Sequence, residues 1–172
     1  MNMTIAGTES RFLRQLDIVP MEVLNTAHVA VVGVGGLGSF AAIALAKLGI
    51  GKLVLYDGDQ VEEHNPPNQL YNFEQVGCFK VDACDDLLRL LTGMNNIIPL
   101  KFNVESDVLL HSPVVVTCVD SMEARTEIWK AVQQSPSVGA LIDARAGAEQ
   151  LRFIYMPTLM TTPAERARLQ VQ

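Results

Sequence analysis

The stretch that most constrains this chain is residues 29–57, VAVVGVGGLGSFAAIALAKLGIGKLVLYD. An apolar run over His28–Val32 leads into Gly33-Val34-Gly35-Gly36-Leu37-Gly38. A helix-period segment over Gly38–Leu48 follows, with Gly49 and Gly51 to turn the chain, and a second apolar run, Lys52–Tyr56, ends on Asp57. This order reads as strand, glycine turn, helix, strand. Glycines suit a chain that leaves a strand, turns tightly and starts a helix, because they permit unusual φ/ψ and let a phosphate approach backbone N–H groups. An acid at the tip of the next strand is placed for a ribose hydroxyl, so the unit is read as a nucleotide site. The crossover is expected to be right-handed.

Beyond Asp57, the loop Gly58–Tyr71 carries Pro66 and Pro67, which excludes a regular helix or central strand there. It leaves the carboxyl end of a strand, where open α/β sheets bind ligands, so its acids, amides and His64 are candidates for contact. Asn65 and Asn68 have an alternative use as turn caps, and His64 as a solvated loop residue. Gly77-Cys78-Phe79-Lys80 introduces a helix over Val81–Leu91, whose apolar face includes Cys84 as a core residue. Lys80 stands at the helix start, where a cation gains nothing from the helix dipole, and a phosphate partner is the better explanation.

Ile97–Val104 is expected to be the third strand, with a helical turn near Asp107–His111. Pro113–Val119 is the next strand, ending on Asp120-Ser121. A helix follows over Glu123–Gln133 with Arg125 in its first turn, again out of place for the dipole. Ala140–Asp143 and Gln150–Met156 read as the last strands. Asp57 and Asp120 are thus expected to end neighbouring strands on one edge, and carboxylates beside a phosphate site imply Mg²⁺ between them.

A length of 172 residues fits one domain with a substantial core. The expected fold is α/β and Rossmann-like, a mostly parallel sheet with helices on both faces and the nucleotide at the carboxyl edge. A net charge of −6 and pI near 5.0 argue against a nucleic-acid partner. Cys78, Cys84 and Cys118 form no CxxC pair and no metal-ligand spacing. No apolar run reaches the ~20 residues that span a bilayer, and MNMTIAGTES has no signal-peptide core. A cytoplasmic protein with no membrane partner is the expectation. Residues 1–10 are read as a flexible N-terminus, 11–157 as the nucleotide-binding domain and 158–172 as a tail.

The ordered set Gly33-Val34-Gly35-Gly36-Leu37-Gly38, Asp57-Gly58-Asp59, Asn65, Gln69, Gly77 with Lys80, and Asp120-Ser121 with Arg125 resembles the E1-like, ThiF/MoeB-type ubiquitin-activating adenylyltransferases. Arg11-Phe12-Leu13-Arg14-Gln15 is similar to the RYxRQ segment ahead of the domain in that family. Without it, Arg11 and Arg14 read as solvated charges beside a first helix. The resemblance implies ATP and Mg²⁺ as cofactors, and a ubiquitin-like or sulfur-carrier protein whose C-terminal glycine is adenylated. It places Gly33, Gly35, Gly36, Asp57, Asp59, Asn65, Gln69, Lys80 and Ser121 at the nucleotide. Gly35 and Gly36 would approach the phosphates, Asp57 would hold the ribose, and Asn65 and Lys80 would contact phosphates. Asp120 would position Mg²⁺, and Arg14 would reach the site of a partner across a homodimer. Asp120, Lys80 and Arg14 are the implied catalytic residues. Attack of a carboxylate on the α-phosphorus needs charge neutralisation and positioning more than a protein nucleophile.

Three departures stand out. The family's NLxRQ run reads Asn65-Pro66-Pro67-Asn68-Gln69, so Asn68 replaces a cation unless Arg14, Arg145 or another base substitutes. Ser121 stands where Asn is usual. No cysteine follows Cys118, so thioester transfer has no support, and residues 158–172 read as the start of a truncated crossover region. The Asn68 exchange also permits a catalytically inactive E1-like binding subunit. An NAD-dependent oxidoreductase on the same fold would leave Lys80 and Asp120-Ser121-Arg125 without a task.

Overall fold

The computed structural model describes residues 12, 14–15, 17–147 and 149–158. The expected flexible segment 1–10, Arg11, and positions 159–172 of the tail lie outside the described residues. The elements are α1 (Met21–Thr26), β1 (His28–Val32), α2 (Gly36–Leu48), β2 (Lys52–Tyr56), α3 (Lys80–Thr92), β3 (Ile97–Leu100), β4 (Val114–Thr117), α4 (Met122–Gln134), β5 (Ala140–Ala146) and β6 (Leu151–Pro157).

The strands form one sheet in the order β3-β2-β1-β4-β5-β6. The first four pairings are parallel, and β6 runs antiparallel to β5 along the edge. This is the α/β, Rossmann-like fold expected from the glycine unit. Central parallel strands must be apolar on both faces, as HVAVV and KLVLY largely are. Successive side chains alternate between faces. Val29, Val31, Leu53 and Leu55 meet Ala42 and Ala46 of α2 and Val81, Cys84 and Leu88 of α3 on one side. Ala30, Val32, Val54, Val115 and Leu141 meet Ile128, Trp129 and Val132 of α4 on the other. Leu53, Leu55 and Leu88 are fully buried, each contributing about 1.5–3 kcal/mol by leaving water.

Two glycines are required by geometry. Gly33 has φ +83°, and a Cβ there would press on Val119 and the Cys118 backbone at the end of β4. A Cβ at Gly38 would overlap the Gly33 carbonyl, so only glycine lets α2 lie this close to the strand it follows.

The structure moves several expected boundaries. Helix α2 begins at Gly36, with Gly35 as its N-cap, so part of the glycine turn is helix rather than loop. Strand β3 stops at Leu100 and not Val104; as an edge strand it tolerates Pro99, and the following residues leave the sheet to reach the β2 tip. The expected helical turn near Asp107–His111 is a plain turn at Ser106–Asp107. Asp57 and Asp120 do not end neighbouring strands: β1 lies between β2 and β4, because the chain switches from one side of β1 to the other after β3. The two acids still share one edge, on either side of the switch point.

Candidate functional site

At that switch point the carboxyl ends of β1, β2 and β4 enclose a cavity of about 360 Å³. Gly33, Gly35 and Gly36 form its floor with the start of α2, and Asp57, Asp59, Gln69, Lys80, Asp120 and Ser121 stand around it. Nine of the expected site residues are therefore brought together from five separate stretches. The helix start presents N–H groups without intrahelical partners, and with the dipole this favours an anion.

Asp57 is 7% exposed and holds the turn together. Its Oδ2 accepts from the Val34 N–H at 2.8 Å, and its Oδ1 accepts from the Asp59 N–H at 2.9 Å. Burial pushes its carboxyl above the usual carboxylate range, while the Asp59 and Val34 N–H groups and the Lys80 ammonium pull it back. On the opposite side of the turn, the Tyr71 hydroxyl donates to the Val34 carbonyl at 2.5 Å. Burial drives that phenol far above its ordinary value. Ser39 of α2 accepts from the Leu70 N–H at 3.2 Å, which ties the proline loop to the glycine helix.

Lys80, with its side chain only 12% exposed, reaches Asp59 Oδ2 at 2.9 Å. The cation at the α3 start thus has a carboxylate partner within the cavity, and the Lys80 N–H also donates to the Asp59 carbonyl. Ser121 Oγ accepts from the Ala124 N–H at 3.1 Å and so caps α4, leaving the exposed Asp120 at the lip. Gln69 Oε1 is buried without a hydrogen-bond partner among the described residues. An orphaned acceptor costs about 1–3 kcal/mol, and in a polar cavity it marks a place for a donor. Three carboxylates, those of Asp57, Asp59 and Asp120, face one ammonium, Lys80.

Two expected residues sit elsewhere. Asn65 is buried with its Oδ1 accepting from the Glu62 N–H at 2.8 Å, so it shapes the loop as a turn cap, and it is not among the residues around the cavity. Arg14 is exposed and likewise not at the cavity. Asn68 is exposed, with its backbone beside Gly36. Neither Arg125 nor Arg145 supplies the missing cation. Arg125 pairs with Asp143 and donates to the Val119 carbonyl, and Arg145 places Nε and Nη2 at 2.7 Å from Asp143 Oδ2. His64 is a solvated loop residue, beside Glu62.

Asn103 was not anticipated. It lines the cavity, and its Oδ1 accepts from the Gly58 N–H at 3.0 Å, which fixes the turn after Asp57. Its position just past an edge strand, on the ligand-binding edge, was the available signal. Cys118 also lines the cavity, its thiol pushed up to about 11 by burial.

No group of three or more His, Cys, Asp or Glu side chains able to hold a metal occurs among the described residues. The residues present nonetheless fit a Mg²⁺ that arrives with phosphates, since that ion keeps waters and phosphate oxygens and takes only one or two carboxylates. Among the described residues no helix is long and apolar enough to cross a membrane.

Comparison with known proteins agrees with this architecture. The ubiquitin-like modifier-activating enzyme 5 of Drosophila ananassae is 36% identical over 139 residues, covering 71% of this chain and 35% of that relative. The chain thus spans about a third of the length of this curated relative. The E. coli MccB structure solved with succinimide superposes with a TM-score of 0.77 at 18% identity, covering 94% of this chain and 54% of that one. The E. coli tRNA N6-threonylcarbamoyladenosine dehydratase, TcdA, in complex with AMP gives a TM-score of 0.72 at 25% identity, covering 87% and 64%. The model of the ThiF family matches residues 8–146, and the chain belongs to that E1-like family.

Proposed function

We propose that the chain binds ATP with Mg²⁺ and adenylates the C-terminal glycine carboxylate of a ubiquitin-like or sulfur-carrier protein. The observation that carries this reading is the single cavity in which a glycine-floored helix start meets Asp57, Lys80, Gln69 and Asp120. Gly35 and Gly36 offer backbone N–H groups to the phosphates and present no Cβ to block them. Asp57 takes the ribose through lone pairs that its two backbone bonds leave over. Lys80 exchanges Asp59 for a phosphate oxygen, and Asp59 remains as a second carboxylate beside the metal. Gln69, with its uncommitted Oε1, orients a hydroxyl or amine of the nucleotide. Asn65 acts through the shape of the loop, and Ser121 through the α4 cap that sets Asp120. Mg²⁺ held by Asp120 supplies charge neutralisation at the phosphates.

In this reading the protein is cytoplasmic and works as a homodimer, with Arg14 donated to the site of the second copy. The name of the Drosophila relative and the presence of AMP in the TcdA structure support a nucleotide and a ubiquitin-like partner. Isotope exchange between pyrophosphate and ATP, stimulated by a carrier ending in glycine, is the test. Exchange that needs both Mg²⁺ and the carrier supports adenylation; no exchange with any carrier, alongside intact ATP binding, contradicts it. That second result is what the inactive-subunit reading predicts. It has its own motive in Asn68, which leaves one ammonium against three carboxylates where the family pattern has a further cation.

A further inference from the structure

A second cavity, of about 300 Å³, lies on the other side of α4. Ala124 and Ile128 of that helix line the nucleotide cavity, whereas Met122, Arg125, Thr126 and Trp129 line this one. Its floor is the sheet. Strand register sets Thr117 opposite Asp143, Asp143 opposite Ile154, and Leu141 opposite Met156, so these side chains share one face.

Two polar atoms in this lining have no hydrogen-bond partner among the described residues: Thr117 Oγ1 and Trp129 Nε1. The residues are 2% and 7% exposed, so bulk water does not satisfy them. Each orphan costs about 1–3 kcal/mol. A threonine that ends a strand otherwise of valine, and an indole N–H in the same lining, are two unpartnered groups beside one cavity and call for a polar visitor. The indole nitrogen only donates, so the visitor must bring an acceptor.

Charge narrows the choice. Asp143 is shared by two guanidiniums, Arg125 at Oδ1 and Arg145 at Oδ2, which leaves one positive charge in excess. Arg145 is 34% exposed by side chain, while Arg125 and Asp143 are nearly buried. Of the remaining lining, Met122, Leu141, Ile154 and Met156 are apolar, and the Thr126 hydroxyl donates to the Met122 carbonyl of its own helix. Small-molecule pockets run from about 300 to 1,000 Å³, so the occupant is small.

We infer that this cavity is a second binding site, for a small monoanion in which a carboxylate is joined to a short hydrocarbon. The two carboxylate oxygens accept from the Trp129 N–H and the Thr117 hydroxyl, the excess guanidinium charge balances them, and the hydrocarbon covers the methionine and isoleucine wall. A free short-chain acid and the carboxyl-terminal residue of a peptide present the same chemistry. The inference does not rest on the nucleotide reading, and failure of ATP binding would leave it untouched.

Trp129 is the single tryptophan of the chain, so its indole N–H gives one resonance in the ¹⁵N-labelled protein. The probes are 4-methylpentanoate, N-acetyl-leucine and the uncharged 4-methylpentanamide. The expected result is a saturable shift of that resonance by an acid, weakened about tenfold or more for the amide and in Arg145→Gln. Thr117→Val, which keeps shape while removing the hydroxyl, is expected to weaken binding with the fold retained, should Arg145→Gln disturb Asp143. Tighter binding of N-acetyl-leucine assigns the site to a peptide end, and tighter binding of 4-methylpentanoate to a free acid. No shift with either acid, or equal affinity for acid and amide, or unchanged affinity in both variants, overturns the inference and leaves a cavity for water.

Discussion

Replacing Asp57 by alanine tests whether this carboxylate builds the glycine turn as well as facing the ligand. The side chain accepts two backbone hydrogen bonds, from Val34 at 2.8 Å and Asp59 at 2.9 Å. Bonds to a charged acceptor contribute about 1.5–3 kcal/mol each, so the gross loss is about 3–6 kcal/mol. The buried carboxylate also carries a desolvation cost that the variant relieves, as its raised pKa shows. A net loss of about 3 kcal/mol is expected. For a chain of this size that lowers Tm by about 6–12 °C, at about 2–4 °C per kcal/mol. The raised pKa has its own sign: an acid that binds its proton more tightly in the folded state costs stability once ionised. The Asp57 contribution therefore becomes more favourable as pH falls through its folded pKa, and the deficit of Asp57→Ala relative to the parent should change in the same range. Differential scanning calorimetry of parent and variant across that range reads both effects. An unchanged Tm for Asp57→Ala would refute the claim that this side chain holds the turn.

Asp120→Ala is expected to change stability by no more than the ~0.5 kcal/mol typical of exposed positions while abolishing Mg²⁺-dependent adenylation; retained pyrophosphate exchange would remove Asp120 from the mechanism. Asn68→Arg returns a cation beside Gly36 and should tighten ATP binding about tenfold, worth about 1.4 kcal/mol, in a calorimetric titration. Weaker or unchanged binding would show that the site does without it. Alkylation by iodoacetamide at pH 8, followed by mass spectrometry, should label the exposed Cys78 first. Cys118 and Cys84, with thiols pushed up to about 11 and about 12, should stay largely unmodified, and equal labelling of all three would contradict their burial.

The sheet and the glycine turn were legible because their signals are local. Strands β1 and β2 have the expected ends since their apolar runs stop at Gly33 and Asp57, Gly38 is demanded by the Gly33 carbonyl within the same strand-turn-helix unit, and Gly33 by its positive φ. What was not legible depends on partners distant in sequence. Asn103 reaches the site because parallel pairing of β3 with β2 brings its loop to Gly58, 45 residues earlier. Lys80 stands out in the sequence by its position against the helix dipole, which points to an anionic partner, and the structure pairs it with Asp59 across the proline loop. The same dipole argument marks Arg125 as out of place without naming a partner, and the structure supplies Asp143 from β5. A misplaced charge reveals that a partner exists, but its identity comes only from the packing of the next strand.

The central claim is that the glycine-floored cavity holds ATP with Mg²⁺, and thermal stability of the purified chain with ATP and Mg²⁺, ATP alone, or NAD tests it most directly. A ligand at about 100 times its Kd stabilises the folded state by about 2.7 kcal/mol. At about 2–4 °C per kcal/mol, the expected shift is about 5–11 °C with ATP and Mg²⁺, less with ATP alone, and none with NAD. A shift with NAD alone, or none with any of the three, would contradict the account.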